Sequence, residues 1–271
     1  MSEDVPAEEG PAPFLAKTEA AVEVGLVTDL GGGLDAEFDD YDRLLAHLDR
    51  TPEQDERVAI HESGHAVCAR LLGHLVDGVT VNPDQARGSE GLCWGVGHAE
   101  AFAEGRGDAS DVRDALSSVM PQAGEDRGPV ADVFGNVYIK CIEFMAGRAA
   151  ERMLLDGEPA LPVDDLRQAR ELAMLICRSE EAIESFIEHC DLAARDLLMP
   201  YGDVVMALSV VLRIKRTLDG AEIDQIIRNV EARKALAVEH RRRADWRKSE
   251  LAAKRFRADS LAGKCITRSS A

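Results

Sequence analysis

Residues 58–69 read Val-Ala-Ile-His-Glu-Ser-Gly-His-Ala-Val-Cys-Ala. On a helix, His61 and His65 lie one turn apart and project from the same face. Two imidazoles at this spacing can bind one zinc ion. Glu62 then lies beside the metal, where it can accept a proton from a metal-bound water. The stretch therefore predicts a helix that carries two metal ligands and a general base.

The residues around the two histidines make this helix apolar over most of its surface. Two histidines and a glutamate in such a helix are expected to be buried, and an unpartnered buried polar group costs a few kcal/mol. Metal binding accounts for their presence, and a hydrogen-bonded structural pair is the alternative. The apolar neighbours are Val58, Ala59, Ile60, Ala66, Val67, Leu71 and Leu72.

The sequence on either side gives this helix defined ends and places two strands after it. Thr51 can cap its start, Gln54 completes a capping box, and Gly73 stops it. Val76–Val81 and Gly91–Val96 have the composition of short strands. From residue 131 onward the pattern is helical, with helices predicted at about 133–155, from 164, and at 180–198, 203–216 and 221–229.

A tetrahedral zinc site needs a third protein ligand. Motifs with a histidine ten residues after the first are excluded, because that position is Leu71. Cys68 lies one turn beyond His65, but three ligands on one straight helix fit a tetrahedron poorly, so we assign Cys68 to the core. His74 and His98 are candidates in predicted loops, where histidines are usually solvated.

The predicted helix near residue 164 offers a better third ligand. Asp165 shares a helical face with Ala169, Leu172 and Ile176, an apolar stripe that should face the core. A carboxylate that points inward is costly unless it is paired or bound to a metal. Asp164 lies on a polar face and suits a helix cap. We therefore prefer Asp165 as the ligand; the alternative is an ordinary acid near a helix N-terminus.

Composition and charge favour a helical protein with two unlike ends. Of the 271 residues 45% are hydrophobic but only 4% aromatic, which favours helices over a β-sandwich. The net charge of −18 is uneven. Residues 1–60 hold 16 acidic and four basic residues, whereas residues 229–271 hold 12 basic and five acidic ones. We interpret the ends as solvated tails that are partly disordered; the alternative is that they contact each other or a charged partner.

Several absences narrow the function classes. The six cysteines form no CxxC pair, and the acidic N-terminus lacks a basic-then-apolar signal sequence. The longest apolar run, Val204–Leu212, is much shorter than the ~20 residues that cross a bilayer. The sequence contains no GxxxxGK[ST] phosphate loop. We therefore expect a soluble cytoplasmic protein without a membrane span and without its own ATPase.

Several ordered motifs resemble one protease family. His61–Ala66 (His-Glu-Ser-Gly-His-Ala) resembles the HEAGHA helix of the FtsH-type ATP-dependent zinc proteases. Met145–Glu151 is similar to that family's GGRAAEE helix, and Val163–Leu166 falls where the family has its NDL segment. Arg216–Ile223 resembles the ETLDGEEI segment near the end of the family's protease domain. The resemblance covers about residues 52–230.

The resemblance implies roles for particular residues. It implies that Asp165 is the third ligand of Zn²⁺, in agreement with its position on the apolar face of its predicted helix. It also implies that Glu151 orients a ligand histidine. The chain departs from the family at Pro159–Pro162, which replaces a TTGA sequence. The family's ATPase domain and membrane helices are not present in these 271 residues. A substrate-aligning edge strand is expected at Gly91, Leu92, Cys93, Trp94 and Gly95.

These observations predict a mainly α-helical zinc metallopeptidase domain with a small β-hairpin or sheet beside the HExxH helix. Residues 1–50 form an acidic, largely disordered arm with a short amphipathic helix, residues 51–230 the peptidase domain, and residues 231–271 a basic helical tail. The expected activity is a zinc metalloendopeptidase acting on unfolded polypeptides. Besides the polypeptide substrate, the partner is either a separate ATPase or further copies of this chain in a homo-oligomer. The rival functions are a catalytically idle zinc-binding interaction module and, less favoured in so acidic a chain, nucleic-acid binding through the basic tail.

Overall fold

The computed structural model describes residues 33–84, 89–122, 124–159 and 161–268. The chain divides into two units, Met1–His47 and Leu48–Ala271. Helix α1 (Gly33–His47) belongs to the first unit and lies within residues 1–50, where the sequence predicts a short helix. The predicted disorder of the arm that precedes it lies outside the described residues.

The helix that carries the histidine motif is α2 (Pro52–Leu71), close to its predicted bounds. Its capping box is complete. The Thr51 hydroxyl accepts from the Gln54 amide at 3.2 Å, and the Gln54 side chain accepts from the Thr51 amide at 2.8 Å. After the helix, Gly73 adopts a positive φ of 86°, which turns the chain toward the first strand.

The second unit is mainly helical with one small antiparallel sheet, as the sequence predicts at this coarse level. The elements after α2 are β1 (Val76–Thr80), β2 (Leu92–Gly95), α3 (His98–Ala103), α4 (Ala109–Ser117), α5 (Ala131–Leu154), α6 (Val163–Ala173), α7 (Glu180–Leu198), α8 (Gly202–Lys215), β3 (Thr217–Asp219) and α9 (Gly220–Arg268).

The sheet has the strand order β2–β1–β3, so β2 is an edge strand among the described residues. Cys93 lies opposite Val79, and Val79 in turn lies opposite Leu218. Val79 and Leu218 are fully buried, so this face of the sheet packs on the core. The sequence predicted two strands and missed β3, because a three-residue strand with one apolar residue shows no alternation.

The close approach of α2 and α5 organises the core. A Cβ atom at Gly64 would lie 2.6 Å from the Ala146 carbonyl oxygen and 2.6 Å from the Ala150 Cβ, closer than real Cβ atoms come. The missing side chain at position 64 and the small ones at 146 and 150 therefore let the two backbones meet. Helices α7 and α8 complete the core, to which they contribute buried Leu198, Leu208 and Leu212.

Buried charges hold the sheet against the start of α2. Arg216, just before β3, has a positive φ of 68° and donates to both carboxylate oxygens of Asp55 at 2.6 and 2.8 Å. Its carbonyl oxygen accepts from the Val81 amide at 3.0 Å. Arg50 lies on the other side of Asp55, at 3.5 Å, and donates to the Val81 carbonyl at 2.5 Å. Asp55 thus joins two arginines that both bind the chain after β1.

The C-terminal helix differs from the prediction of separate elements. Helix α9 runs without a break through Asn229, because neither Gly nor Pro interrupts the sequence there. Its 49 residues make a rod of roughly 74 Å at 1.5 Å per residue. From Glu231 to Ser260 nearly every side chain is exposed. The predicted boundary at residue 230 therefore lies inside one helix.

The stretch Glu180–Lys215 is long and apolar enough, by length and composition alone, to be a candidate membrane span. A short 3-10 turn, Met199–Tyr201, divides it into α7 and α8. Among the residues of α8, Val204, Leu208 and Leu212 are fully buried. Of its most apolar window, 33% is buried inside the structure.

Asp55→Asn is expected to lower the free energy of unfolding of the chain by about 3 kcal/mol. Removing one partner of a buried ion pair leaves the others charged and uncompensated, and here two arginines lose their shared carboxylate. Urea unfolding followed by circular dichroism measures the effect. The matched control is Asp245→Asn, since that carboxylate is 66% exposed and lies 3.7 Å from Lys248. Equal stability of the two variants would contradict the structural role of Asp55.

Candidate metal site

Three side chains from α2 and α6 converge on one point. The Nε2 atoms of His61 and His65 lie 3.0 Å apart. Asp165, in the first turn of α6, places its Oδ2 3.0 Å from His61 Nε2 and 3.4 Å from His65 Nε2. The ligand atoms of these three residues all lie within 4.8 Å of one another. The structure therefore brings together the three residues that the sequence singles out as metal ligands.

The other ring nitrogen of each histidine is held by α5. His61 Nδ1 lies 2.6 Å from Glu151 Oε1, and His65 Nδ1 lies 2.7 Å from the backbone carbonyl oxygen of Glu143. A carbonyl or a carboxylate can only accept, so the hydrogen of each neutral imidazole is on Nδ1. Both Nε2 atoms then present lone pairs toward each other and toward the Asp165 carboxylate.

This donor set fits a metal cation. Two imidazole nitrogens and a carboxylate oxygen face one another, and a metal cation between them would satisfy all three acceptors at once. Two histidines, one carboxylate and one position left open is a ligand set of catalytic zinc sites. The hydrogen bond from each Nδ1 to an acceptor also matches the way metal-bound histidines are oriented in proteins.

The electrostatics of the three residues attract positive charge. Burial lowers the pKa of His61, but its hydrogen bonds to Asp165 and Glu151 outweigh burial and raise the pKa to about 10. Burial raises the pKa of Asp165, yet the two histidines hold it well below its ordinary value. The field that draws protons onto these nitrogens also favours a divalent cation, which competes with protons for the same atoms.

A glycine makes room for the first ligand. A Cβ atom at Gly147, on α5, would overlap the imidazole ring of His61. Gly147 lies one turn before Glu151, so the ring passes over the glycine and reaches the carboxylate on the same face of α5. The segment that resembles the GGRAAEE helix therefore supplies both the space for His61 and its hydrogen-bond acceptor.

Glu62 lies next to the ligands and is nearly buried, with 7% of its surface exposed. Its side chain rests against Gly91, where a Cβ atom would lie 2.8 Å from Glu62 Oε1. Burial raises the pKa of Glu62, and the positive charge of His61 and His65 opposes that rise. No hydrogen bond or ion pair to this carboxylate occurs within the described ranges, so its position is not explained by a structural partner.

The predicted edge strand begins at Gly91, the residue that contacts the Glu62 side chain. Gly91 directly precedes β2, and Cys93 turns toward the core face with Val79. Trp94 lies opposite Gly78, and its ring covers the place that a Cβ atom would occupy there. Leu92 and Gly95 are the ends of β2, which is one residue shorter at each end than the predicted strand.

The other sequence candidates lie elsewhere. Cys68 is fully buried in the core, as expected. His74, expected to be solvated, is half-buried and its Nδ1 pairs with the side chain of Glu143. His98 begins α3. The prediction that Asp164 caps α6 is wrong: the helix begins at Val163, so Asp164 lies inside its first turn. The Asp164 carboxylate is exposed and binds the side chains of Arg167 and Gln168 at 2.9 Å each.

Sequence reasoning missed the Glu143 carbonyl as the acceptor for His65. A backbone carbonyl leaves no side-chain signature, so only the packing of α5 on α2 shows it. A search of protein-family models found no match, and a search of curated proteins found no similar sequence. The residues of the site and the motifs of the sequence are therefore the basis for assigning a function.

His61→Ala, His65→Ala and Asp165→Ala are each expected to abolish stoichiometric zinc binding, because each removes one of three ligand atoms. Glu151→Gln is expected to weaken zinc affinity about 10- to 100-fold, as the loss of a group that orients a ligand does. Competition with a chromophoric chelator measures both effects. Asp164→Ala is the matched control and should keep wild-type affinity. Zinc loss in Asp164→Ala with retention in Asp165→Ala would contradict the assignment.

Proposed function

We propose that this chain is a zinc-dependent endopeptidase that hydrolyses peptide bonds in unfolded proteins or peptides, similar in its site to the FtsH-type proteases. The observation that carries the proposal is the buried Glu62 carboxylate beside three converging ligand atoms. The carboxylate is 7% exposed and has no hydrogen bond or ion pair among the described residues, and burial raises its pKa. A general base next to a metal-bound water is the role that this position fits.

The proposed mechanism assigns one task to each residue. His61, His65 and Asp165 would hold Zn²⁺, which when bound polarises the scissile carbonyl and lowers the pKa of the attacking water toward ~7. Glu62 takes the proton from this water and delivers it to the leaving amine. The raised pKa of Glu62 suits a group that must both accept and return a proton near neutral pH. Glu151 keeps His61 in the tautomer that exposes Nε2.

The substrate in this proposal is an extended polypeptide. Strand β2 ends the sheet among the described residues, so one of its edges can pair with an added strand. Gly91, which directly precedes this strand, lies against the Glu62 side chain. A peptide that pairs with β2 would therefore pass the general base, whereas a folded domain cannot offer a free backbone to such an edge.

Glu62→Gln is expected to keep stoichiometric zinc but to lower peptidase activity by about 10²- to 10⁴-fold, since it removes the base and leaves the ligands. Cleavage of an internally quenched peptide measures activity, and chelator competition measures zinc. The control is Glu56→Gln on the same helix, whose carboxylate is 41% exposed and lies 3.6 Å from Arg213. A wild-type protein that is saturated with zinc yet cleaves nothing would favour the idle interaction module instead.

The chain is expected to cleave a reduced and alkylated protein but not the native, disulfide-bonded form of the same protein. Only the unfolded form can lie along β2. ATP should change neither rate, because the sequence has no phosphate loop. Gel electrophoresis of the four reactions gives the result. Stimulation by ATP with the purified chain alone would contradict the prediction, and stimulation only after addition of cell lysate would indicate an ATPase on a separate chain.

A further inference from the structure

Arg57 lies one turn before the ligand His61 on the same face of α2, between two carboxylates. Its Nη2 atom pairs closely with Glu90 Oε2, and its Nη1 atom is 3.8 Å from Glu151 Oε1. The second distance exceeds that of a hydrogen bond. The close partner of Arg57 is therefore Glu90, on the strand side, and not the glutamate that orients His61.

Glu90 is the residue through which the start of β2 is fixed to α2. Arg57 holds its carboxylate, and Arg50 donates to its backbone carbonyl. The next residue, Gly91, touches the Glu62 side chain. Arg50, before α2, and Arg57, in its second turn, thus both bind Glu90. Glu90 directly precedes Gly91, the residue of the strand side that contacts Glu62.

The position of this strand start depends on few other contacts. Strand β2 has four residues and pairs only with β1 among the described strands. Short edge strands open readily, because half of their backbone groups have no partner in the sheet. An ion pair that ties the strand start to the rigid metal-binding helix limits this opening where a substrate would have to align.

We propose that Arg57 is a positioning residue that holds β2, through Glu90, in the register at which an added substrate strand meets Glu62. This inference rests on the proposed function for its substrate. It assigns to Arg57 an effect on substrate binding and none on zinc, in contrast to Glu151. The role is one of geometry: Arg57 contacts neither the metal ligand atoms nor the reacting bond.

The test is a double-mutant cycle on the full chain with Arg57→Gln, Glu90→Gln and the double variant. Each single variant should raise KM for a quenched peptide about fivefold, the range of a partly exposed ion pair. Their kcat values and zinc affinities should stay within about twofold of wild type. The double variant should be no worse than either single one, because the two residues act through one contact. The control pair, Glu104→Gln and Arg106→Gln, breaks an exposed ion pair away from α2 and should leave KM unchanged.

Hydrogen exchange gives a readout that does not require turnover. The amides of Leu92–Gly95 should exchange about fivefold faster in Arg57→Gln and Glu90→Gln, with exchange in α5 unchanged. If the wild type cleaves nothing, the proposed function fails, while the exchange result still decides the role of Arg57. Unchanged exchange in β2 would overturn the inference. A loss of zinc affinity in Arg57→Gln as large as that in Glu151→Gln would also overturn it. Arg57 would then act by orienting the ligand His61 and not by positioning β2.

Discussion

The contact on which the site depends is the close approach of α2 and α5. Gly64 lets the backbone of α2 meet α5 at Ala146, and the next residue, Gly147, leaves space for the ring of His61. At this separation Glu151 reaches the far nitrogen of that ring. A larger side chain at either glycine would move the helices apart, and the histidines would lose their acceptors together. Overpacking of this kind costs about 1–3 kcal/mol in an ordinary core; here it would also misplace a ligand.

The sequence predicts those parts of the structure that depend on residues close together in the chain, such as helix caps and the spacing of apolar residues. The start of α2 follows from Thr51 and its capping box, and the inward position of Asp165 follows from the spacing of apolar residues on one helical face. Strand β3 around Leu218 has no such pattern, since pairing with β1 and not its own sequence makes it a strand. The positive φ of Arg216 is likewise set by distant contacts. The acceptor for His65, the carbonyl of Glu143, could not be found without the packing of the helices.

Buried charge, in addition to apolar contact, fixes the sheet beside the candidate metal site. Asp55 joins Arg50 to Arg216; both arginines bind the chain just after β1, and Arg50 also binds it at the start of β2. Desolvating such ions offsets much of their attraction, so their net contribution to stability is modest while their geometry is specific. The arrangement fixes which residue of the edge strand meets Glu62. One helix, α2, therefore carries the metal ligands at its centre and the anchors of the strand at its start.

The structure also bears on whether a metal at this site would be structural or catalytic. Structural zinc sites are closed by four protein ligands, whereas the described residues bring three ligand atoms together here. A purely structural site has no use for Glu62, whose burial raises its pKa and destabilises its charged form. Proteins retain such locally unfavourable groups at functional sites, where other contacts offset their cost. The open position and the unpartnered carboxylate favour hydrolysis over a structural role, because both are needed to hold and deprotonate a water.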